Sequence, residues 1–203
     1  MARAAAVIRA GGLVAFPTDT MYGLAADPFN PSAVRRIVVA KGRPSDRAMP
    51  LVAADMAQVA EQIGPLTPLA RRLADRFWPG PLTIIMPAPL AIAAGVSAGT
   101  GRVGVRVPAH AVARDLSRSS ASVLVATSAN PSGQAAPTDP DDIAAPLVAA
   151  IDMLIDSGPT PGGPPSTIID VTTIVDATGA AVQLVRAGAI SWEDIDACLR
   201  DHR

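Results

Sequence analysis

Several residue types are scarce in this sequence, and each scarcity excludes something. A single cysteine, Cys198, among 203 residues leaves no intrachain disulfide. Two histidines, His110 and His202, are too few for a zinc centre built on His and Cys. No apolar run approaches the ~18 residues a membrane-spanning helix needs. The N-terminus lacks the basic segment, apolar stretch and cleavage site of a secretory signal. These absences read as a soluble, cytoplasmic protein without membrane association. Aromatics make up only 3% while hydrophobic residues reach 49%, so the core must be built from Ala, Val, Leu and Ile. There is one lysine, Lys41, against sixteen arginines. A composition rich in Ala, Arg, Pro and Gly accounts for arginine on ordinary surfaces. A position that still carries lysine can need a compact ammonium on a flexible stem, which a guanidinium does not imitate.

Signature loops are missing too. There is no G-x-x-x-x-G-K-[ST] loop, no G-x-G-x-x-G, no G-x-S-x-G elbow and no histidine set beside an acid. His110 follows a strand end and reads as a helix-start residue. Asp19 could hold a magnesium ion, but one carboxylate is a thin ligand set. A net charge of −1 excludes a surface that is basic throughout, while leaving room for a local basic patch.

What is present is organised around Phe16-Pro17-Thr18-Asp19-Thr20-Met21-Tyr22-Gly23-Leu24. The apolar run from Leu13 to Phe16 reads as a buried strand stopped by Pro17, which cannot donate to a sheet. Hydroxyls and a carboxylate emerge at its C-terminal end, where open α/β sheets bind ligands. Gly23 permits a turn or a close approach. Residues 2–10 predict a helix, and Ser32 caps another that ends at Lys41-Gly42-Arg43-Pro44, placing Lys41 and Arg43 in a turn.

Strands are predicted at Met49 to Ala53, Leu82 to Met86, Val103 to Pro108, Val123 to Ala126, Met153 to Ile155 and Ile168 to Val171, and another ends at Leu184 to Gly188. Helices are predicted at Asp55 to Ile63, from Thr67-Pro68 through Arg76, at Ala109 to Ser117, Asp139 to Ala149 and Ser191 to Leu199. Residues 87–101 read as loop, and Trp78 as a core anchor. Alternation puts Arg106 on the face opposite Val105 and Val107. The Pro/Gly-rich stretch 157–167 reads as an ordered loop presenting Ser166, since it runs straight into a strand. Strands alternating with helices, some connections too short for a helix, imply an α/β domain with a mixed sheet.

Separated segments thus end in polar tips: Thr18 and Thr20; Lys41, Arg43 and Arg47; Ser128 and Asn130; Ser166. Arg106 and Arg186 add cations borne by strands. Brought together, they make a cationic pocket with hydroxyls and few carboxylates, suited to a polyanion. Phosphate chemistry there needs positioning and charge neutralisation rather than a protein nucleophile.

PTDTMYGL, KGRP, FWPGPLT, VGVRVP, TSANPSG, PSTIID and LVRAGAI stand in the order of the threonylcarbamoyl-AMP synthase family, and from Gly11 to Ile190 the chain resembles that YrdC-like domain. The resemblance implies a twisted mixed sheet with flanking helices and a concave basic face. It implies an enzyme that condenses L-threonine, bicarbonate and ATP, with Mg2+, into threonylcarbamoyl-AMP and pyrophosphate. The product would pass to a tRNA threonylcarbamoyltransferase complex acting on adenosine 37, and direct tRNA contact is possible on this reading. It makes Lys41, Arg43, Ser128 and Asn130 the catalytic signature, and Thr20, Arg106, Ala126 and Ser166 the threonine contacts. Arg43, Arg47, Arg102, Ser128 and Arg186 become the ATP contacts.

Two departures stand out. Many relatives carry a histidine in the strand after K-x-R, and Met49 to Ala54 has none. Longer relatives add a C-terminal domain that closes over the pocket. Here residues 1–203 are expected to form a single domain without that lid, leaving the product less shielded from water. Two rival readings are a carbamoyl-AMP-forming relative and a non-catalytic RNA-binding protein.

Overall fold

The chain opens with an amphipathic helix, α1 (Ala2–Arg9), that buries Ala4, Ala5 and Ile8. It then enters the fully buried strand β1 (Val14–Pro17) and turns straight back as β2 (Tyr22–Ala26). The structure, a computed structural model, describes residues 1–172, 174–175, 179–180 and 182–200. β2 was not anticipated. Tyr-Gly-Leu-Ala-Ala has weak strand propensity and no alternation, yet all five residues are buried. Its neighbours on both sides supply the ladder, and tertiary pairing overrides local preference.

The remaining elements follow in order: α2 (Pro31–Lys41), β3 (Leu51–Val52), α3 (Met56–Gln62), α4 (Pro68–Phe77), β4 (Leu82–Pro87), α5 (Ala94–Ser97) and β5 (Arg102–Arg106). Then come α6 (Ala111–Ser120), β6 (Leu124–Ser128), α7 (Ala145–Ala150), β7 (Met153–Leu154), β8 (Thr167–Asp170), β9 (Ile174–Val175), β10 (Gly179–Ala180), β11 (Gln183–Arg186) and α8 (Trp192–Arg200). Nine strands form one sheet in the order β11-β8-β4-β5-β3-β6-β2-β1-β7, and β9 and β10 form a separate ribbon. β3 runs parallel to β5, β4 to β8 and β1 to β7, while the other neighbours are antiparallel. The α/β fold with a mixed sheet is as the sequence implied. No helix among the described residues is long and apolar enough to cross a membrane.

The period of two along each strand divides the sheet into two faces. On one face Leu82, Ile84, Val103, Val105 and Val125 share a core with Val34 and Ile37 of α2, Leu73 of α4 and Ile195 of α8. On the other, Val14, Phe16, Val52 and Leu124 meet Ala4 and Ile8 of α1 and Ala113 and Leu116 of α6. Thr83, Gly104, Arg106, Ala126 and Ser128 alternate with the first set and so share the face of the second. The two helices α1 and α6 leave that part of the face open, and the site lies there.

Local differences from the sequence reading have identifiable causes. Asn30, not Ser32, caps α2: its Oδ1 accepts from the backbone N–H groups of Ser32 and Ala33 at 3.0 and 3.2 Å, with Pro31 at the first helical position. The helix expected over 139–149 divides into a single 3-10 turn, Pro140–Asp142, and α7, because a continuous helix would set the Pro146 ring against the carbonyl of residue 142. α5 lies inside the expected loop 87–101 and buries Val96 completely. Trp78 is buried and its indole N–H donates to the Leu82 carbonyl at 2.6 Å, as a core anchor should.

The Pro/Gly-rich stretch is ordered, and its fastenings are visible. The Tyr22 hydroxyl donates to the Gly158 carbonyl at 2.7 Å and accepts from the Ser157 N–H at 3.2 Å. Thr160 Oγ1 lies within donating distance of the Thr20 and Thr138 carbonyls, at 3.2 and 3.0 Å. The loop is therefore tied to the β1–β2 turn, which fixes the approach to Ser166. Tyr22→Phe keeps the buried ring and removes both bonds to the loop, whose backbone groups water can reach, so urea denaturation should show a loss of about 0.5–1.5 kcal/mol. The loop should also become a preferred site of limited proteolysis, and wild-type stability and resistance in the variant would contradict this account.

Candidate active site

The turn between β1 and β2 is shaped by Thr18. Its Oγ1 donates to the Met21 carbonyl at 2.7 Å and accepts from the Thr20 and Met21 N–H groups at 3.2 Å. The Thr20 hydroxyl is 3.2 Å from it, and both threonines are buried. Gly23 serves close approach rather than a turn: a Cβ there would stand 3.2 Å from the Phe16 ring and 3.3 Å from the Thr127 carbonyl. The turn leans over the open face of the sheet, so that Asp19 reaches across to Arg106 at 3.2 Å.

Arg106 is buried at the end of β5. Burial pulls its pKa down and Asp19 pushes it back, which keeps a desolvated guanidinium paired. His110 stands at the N-cap of α6, as its position after the strand implied. Burial lowers its pKa against the opposing pull of Asp19, so the imidazole is neutral at pH 7.

The second wall joins the K-x-R and S-x-N segments. The sequence placed Lys41 in a turn; the structure makes it the last residue of α2, with Gly42 in the left-handed conformation as the cap. Lys41 is buried, and its ammonium donates to the backbone carbonyls of Ser128 and Asn130. In return, the Ser132 N–H donates to the Lys41 carbonyl at 2.9 Å. Asn130 Nδ2 braces the same turn by donating to the carbonyls of Pro131 and Gln134 at 3.0 and 2.6 Å. No carboxylate among the described residues pairs with Lys41. Burial and the neighbouring Arg43 lower its pKa to about 8. Arg43 itself folds back along its loop, donating to the carbonyls of Ala48 at 2.8 Å and Arg47 at 3.3 Å.

The third wall is Ser166 with Arg186. The guanidinium donates through Nη2 to the Ser166 carbonyl at 2.6 Å and to its Oγ at 3.1 Å. Partial burial and the charge on Arg106 both lower the Arg186 pKa, which places the two cations in one field. On the sheet beneath, the Thr83 hydroxyl lies 2.9 Å from Ser166 Oγ.

These walls enclose a cavity of about 430 Å3, within the usual range for small-molecule sites. Of the polar tips, strand cations and ligand contacts named from sequence, Thr18, Thr20, Arg43, Arg106, Ala126, Ser128, Asn130, Ser166 and Arg186 line it together. Lys41 stands just behind, under the Ser128 to Asn130 turn. The Arg47 side chain is not part of the lining, and that residue contributes the carbonyl that receives Arg43. Arg102 also lies outside: four residues from Arg106 along β5, about 13 Å, its guanidinium is paired with Asp170 at 2.9 Å. The lining contains no carboxylate among the described residues and three arginines. Its chemistry is that of an anion receptor with hydroxyl donors. Thr83, Gln134 and Thr127 also line it and were not singled out from sequence. For Thr83 the signal was available: a polar residue inside an apolar strand directly after the Pro-Gly-Pro turn.

An anion arriving beside Lys41 favours its charged form and raises its pKa. Calorimetry of sulfate binding, an anion that does not itself titrate in this range, at pH 8 in buffers of different ionisation enthalpy should therefore show uptake of up to about half a proton per site, given a resting pKa of about 8. The uptake should vanish near pH 6.5, where Lys41 is already protonated, and in Lys41→Met at every pH. Uptake unchanged by that substitution would assign the proton to another group.

Residues 6–188 match the Sua5_yciO_yrdC family, described as Telomere recombination. A threonylcarbamoyl-AMP synthase of Bacillus subtilis is 40% identical over 200 residues, which are 98% of this chain and 56% of that protein. The crystal structure of Pyrococcus abyssi Sua5 complexed with L-threonine superposes with a TM-score of 0.90 at 38% identity, covering 98% of this chain and 57% of that one. Escherichia coli YciO superposes with a TM-score of 0.78 at 25% identity, covering 92% of this chain and 88% of that one. The chain thus spans somewhat more than half the length of the first two relatives. With the motif order, the mixed sheet and nearly the whole sequence in agreement, the chain belongs to the Sua5/YciO/YrdC family.

Proposed function

We propose that the protein is an L-threonylcarbamoyladenylate synthase, forming threonylcarbamoyl-AMP and pyrophosphate from L-threonine, bicarbonate and ATP. The observation that carries this reading is a cavity lined by Arg43, Arg106 and Arg186 with hydroxyls and without a carboxylate. Such a cavity suits an amino-acid carboxylate at one end and a nucleotide phosphate chain at the other. The Bacillus relative bears the name of this activity, and the Pyrococcus Sua5 structure holds L-threonine.

On this proposal Arg106 receives the threonine carboxylate, with Thr20 and Ser166 beside it and Ala126 on the floor. The neutral threonine amine attacks the carbon of carbon dioxide or bicarbonate, giving a carbamate and releasing a proton, or water from bicarbonate. A carbamate oxygen then attacks the α-phosphorus of ATP in line, the bond to the β-phosphate oxygen breaks, and pyrophosphate leaves. Ser128, Asn130 and Arg43 face the phosphates, Arg186 comes from the opposite wall, and Lys41 supplies positive potential from behind the turn it holds. Arg47 and Arg102 are not among the lining residues, so a part for them in ATP binding requires their side chains to move inward.

The described residues contain no cluster of three or more His, Cys, Asp or Glu side chains, and the lining has no acid. These residues do not fit a magnesium ion held by the protein. Mg2+ enters this proposal as the ATP complex, ligated by phosphate oxygens and water. The product's mixed anhydride is prone to hydrolysis, so transfer to a tRNA-modifying transferase would follow directly.

The test is to supply ATP, bicarbonate and single amino acids and follow pyrophosphate. Release that needs both threonine and bicarbonate is the expected result. Salt-sensitive tRNA binding without turnover would select the non-catalytic RNA-binding reading instead. Arg106→Gln should raise the KM for threonine on the order of 10–100-fold, the worth of a charge-assisted hydrogen-bond pair, with little change in the KM for ATP. Equal losses for both substrates would remove Arg106 from the threonine end.

A further inference from the structure

Thr83 is a buried hydroxyl on the cavity face that the scheme above leaves without a task. We propose that it is a positioning residue, which fixes the direction of the Ser166 hydroxyl so that the Ser166 proton is offered to an anionic oxygen of the amino-acid substrate. The proposal rests on the reading that Ser166 faces threonine.

The reasoning is a count of protons. A serine or threonine hydroxyl has one proton to give and can accept twice, whereas a guanidinium only donates. Arg186 Nη2, 3.1 Å from Ser166 Oγ, therefore fills one acceptor direction of that oxygen. Thr83 Oγ1 is 2.9 Å away, and Ser166 is its only hydrogen-bond partner among the described residues. If Ser166 gave its proton to Thr83, the Thr83 proton would need an acceptor at a side chain only 1% exposed, at most of the cost of desolvation, whereas half-buried Ser166 can turn its own proton to the cavity. If Thr83 gives its proton to Ser166, every proton has a place. Ser166 Oγ then accepts from both Arg186 and Thr83, and its own proton points away from them, into the cavity that all three line.

Gly104 explains why Thr83 keeps that orientation. It lies on the adjacent strand β5, opposite Ile85 of β4, and a Cβ built on it would stand 2.9 Å from Thr83 Cγ2. The missing side chain leaves the room that the Thr83 methyl fills. Threonine's branched Cβ is stiff about χ1, so seating the methyl over Gly104 directs the hydroxyl to the opposite side. There β8 brings Ile168 into register with Thr83 and carries Ser166 just before its first residue. The Gly of VGVRVP, the Thr of FWPGPLT and the Ser of PSTIID thus act through one hydroxyl.

The experiment is steady-state pyrophosphate release with L-threonine varied, on wild type, Thr83→Val, Thr83→Ser, Ser166→Ala and the Thr83→Val/Ser166→Ala double variant. Thr83→Val preserves shape and removes the donor, so the KM for threonine should rise roughly tenfold while the KM for ATP holds. Thr83→Ser restores the donor and should return to near wild type. In the Ser166→Ala background Thr83→Val should add nothing. Wild-type kinetics in Thr83→Val, equal losses in Thr83→Val and Thr83→Ser, or an undiminished loss in the double variant would each overturn the proposal. Should Thr83→Val fail to fold, Thr83→Cys, whose thiol donates weakly, takes its place with the same expectations. If the wild type itself neither binds threonine by calorimetry nor releases pyrophosphate with it, the parent reading fails and this one with it.

Discussion

The buried ammonium of Lys41, held by the carbonyls of Ser128 and Asn130, is the contact on which the site depends. It joins the end of α2 to the turn after β6, two segments almost ninety residues apart, and the Ser132 N–H closes the clasp from the other side. A buried cation needs several acceptors to offset its desolvation, and carbonyl oxygens supply them here without introducing negative charge. A carboxylate partner would have met the same need, but it would have cancelled the field that attracts an anion. The geometry also accounts for a lysine in a chain that otherwise uses arginine. Only a slim stem with a compact head reaches two carbonyls of one tight turn from the last residue of a helix.

The same economy of negative charge runs through the cavity. Asp19, which stands between the lining residues Thr18 and Thr20, is absorbed by Arg106 and is not itself among the lining residues. Its contact steadies one edge of the guanidinium, and the remaining N–H donors stay available to a ligand. His110, kept neutral by burial, adds no charge of either sign to this corner. Arg43 and Arg186 are held mainly through backbone carbonyls, of Arg47 and Ala48 in one case and Ser166 in the other. Each cation is thus positioned by a neutral or recessed partner, which preserves the net positive potential of a protein whose total charge is −1.

Much of this was legible in the residues. Buried strands ending in hydroxyls, the lone lysine beside a glycine, and the strict alternation around Arg106 all pointed to one anion-binding hollow, and nine of the named residues line it together. What escaped is equally specific. β2 has no strand signature because Gly23 serves close approach to Phe16 and Thr127, and the alanines fill buried positions between two paired strands. Lys41 read as part of a turn because Gly42 ends the helix at that point, and whether the residue before such a glycine faces solvent or core depends on what packs above it. The family resemblance puts Arg102 among the ATP contacts, but Asp170 of β8 pairs with it outside the cavity lining.

By itself the sequence determined the element types, the polar tips and the identity of the cations, since these follow from periodicity, capping and composition. It could not decide which strand lies beside which. The order β8-β4-β5-β3-β6-β2 is built from contacts between residues distant in the chain, and it brings Arg106, Ser128, Thr20 and Ser166 to one open face. Tertiary structure also decided which of sixteen chemically equivalent arginines face that opening. Desolvation and pairing depend on the surroundings of a side chain, and those surroundings exist only once the sheet has closed around it.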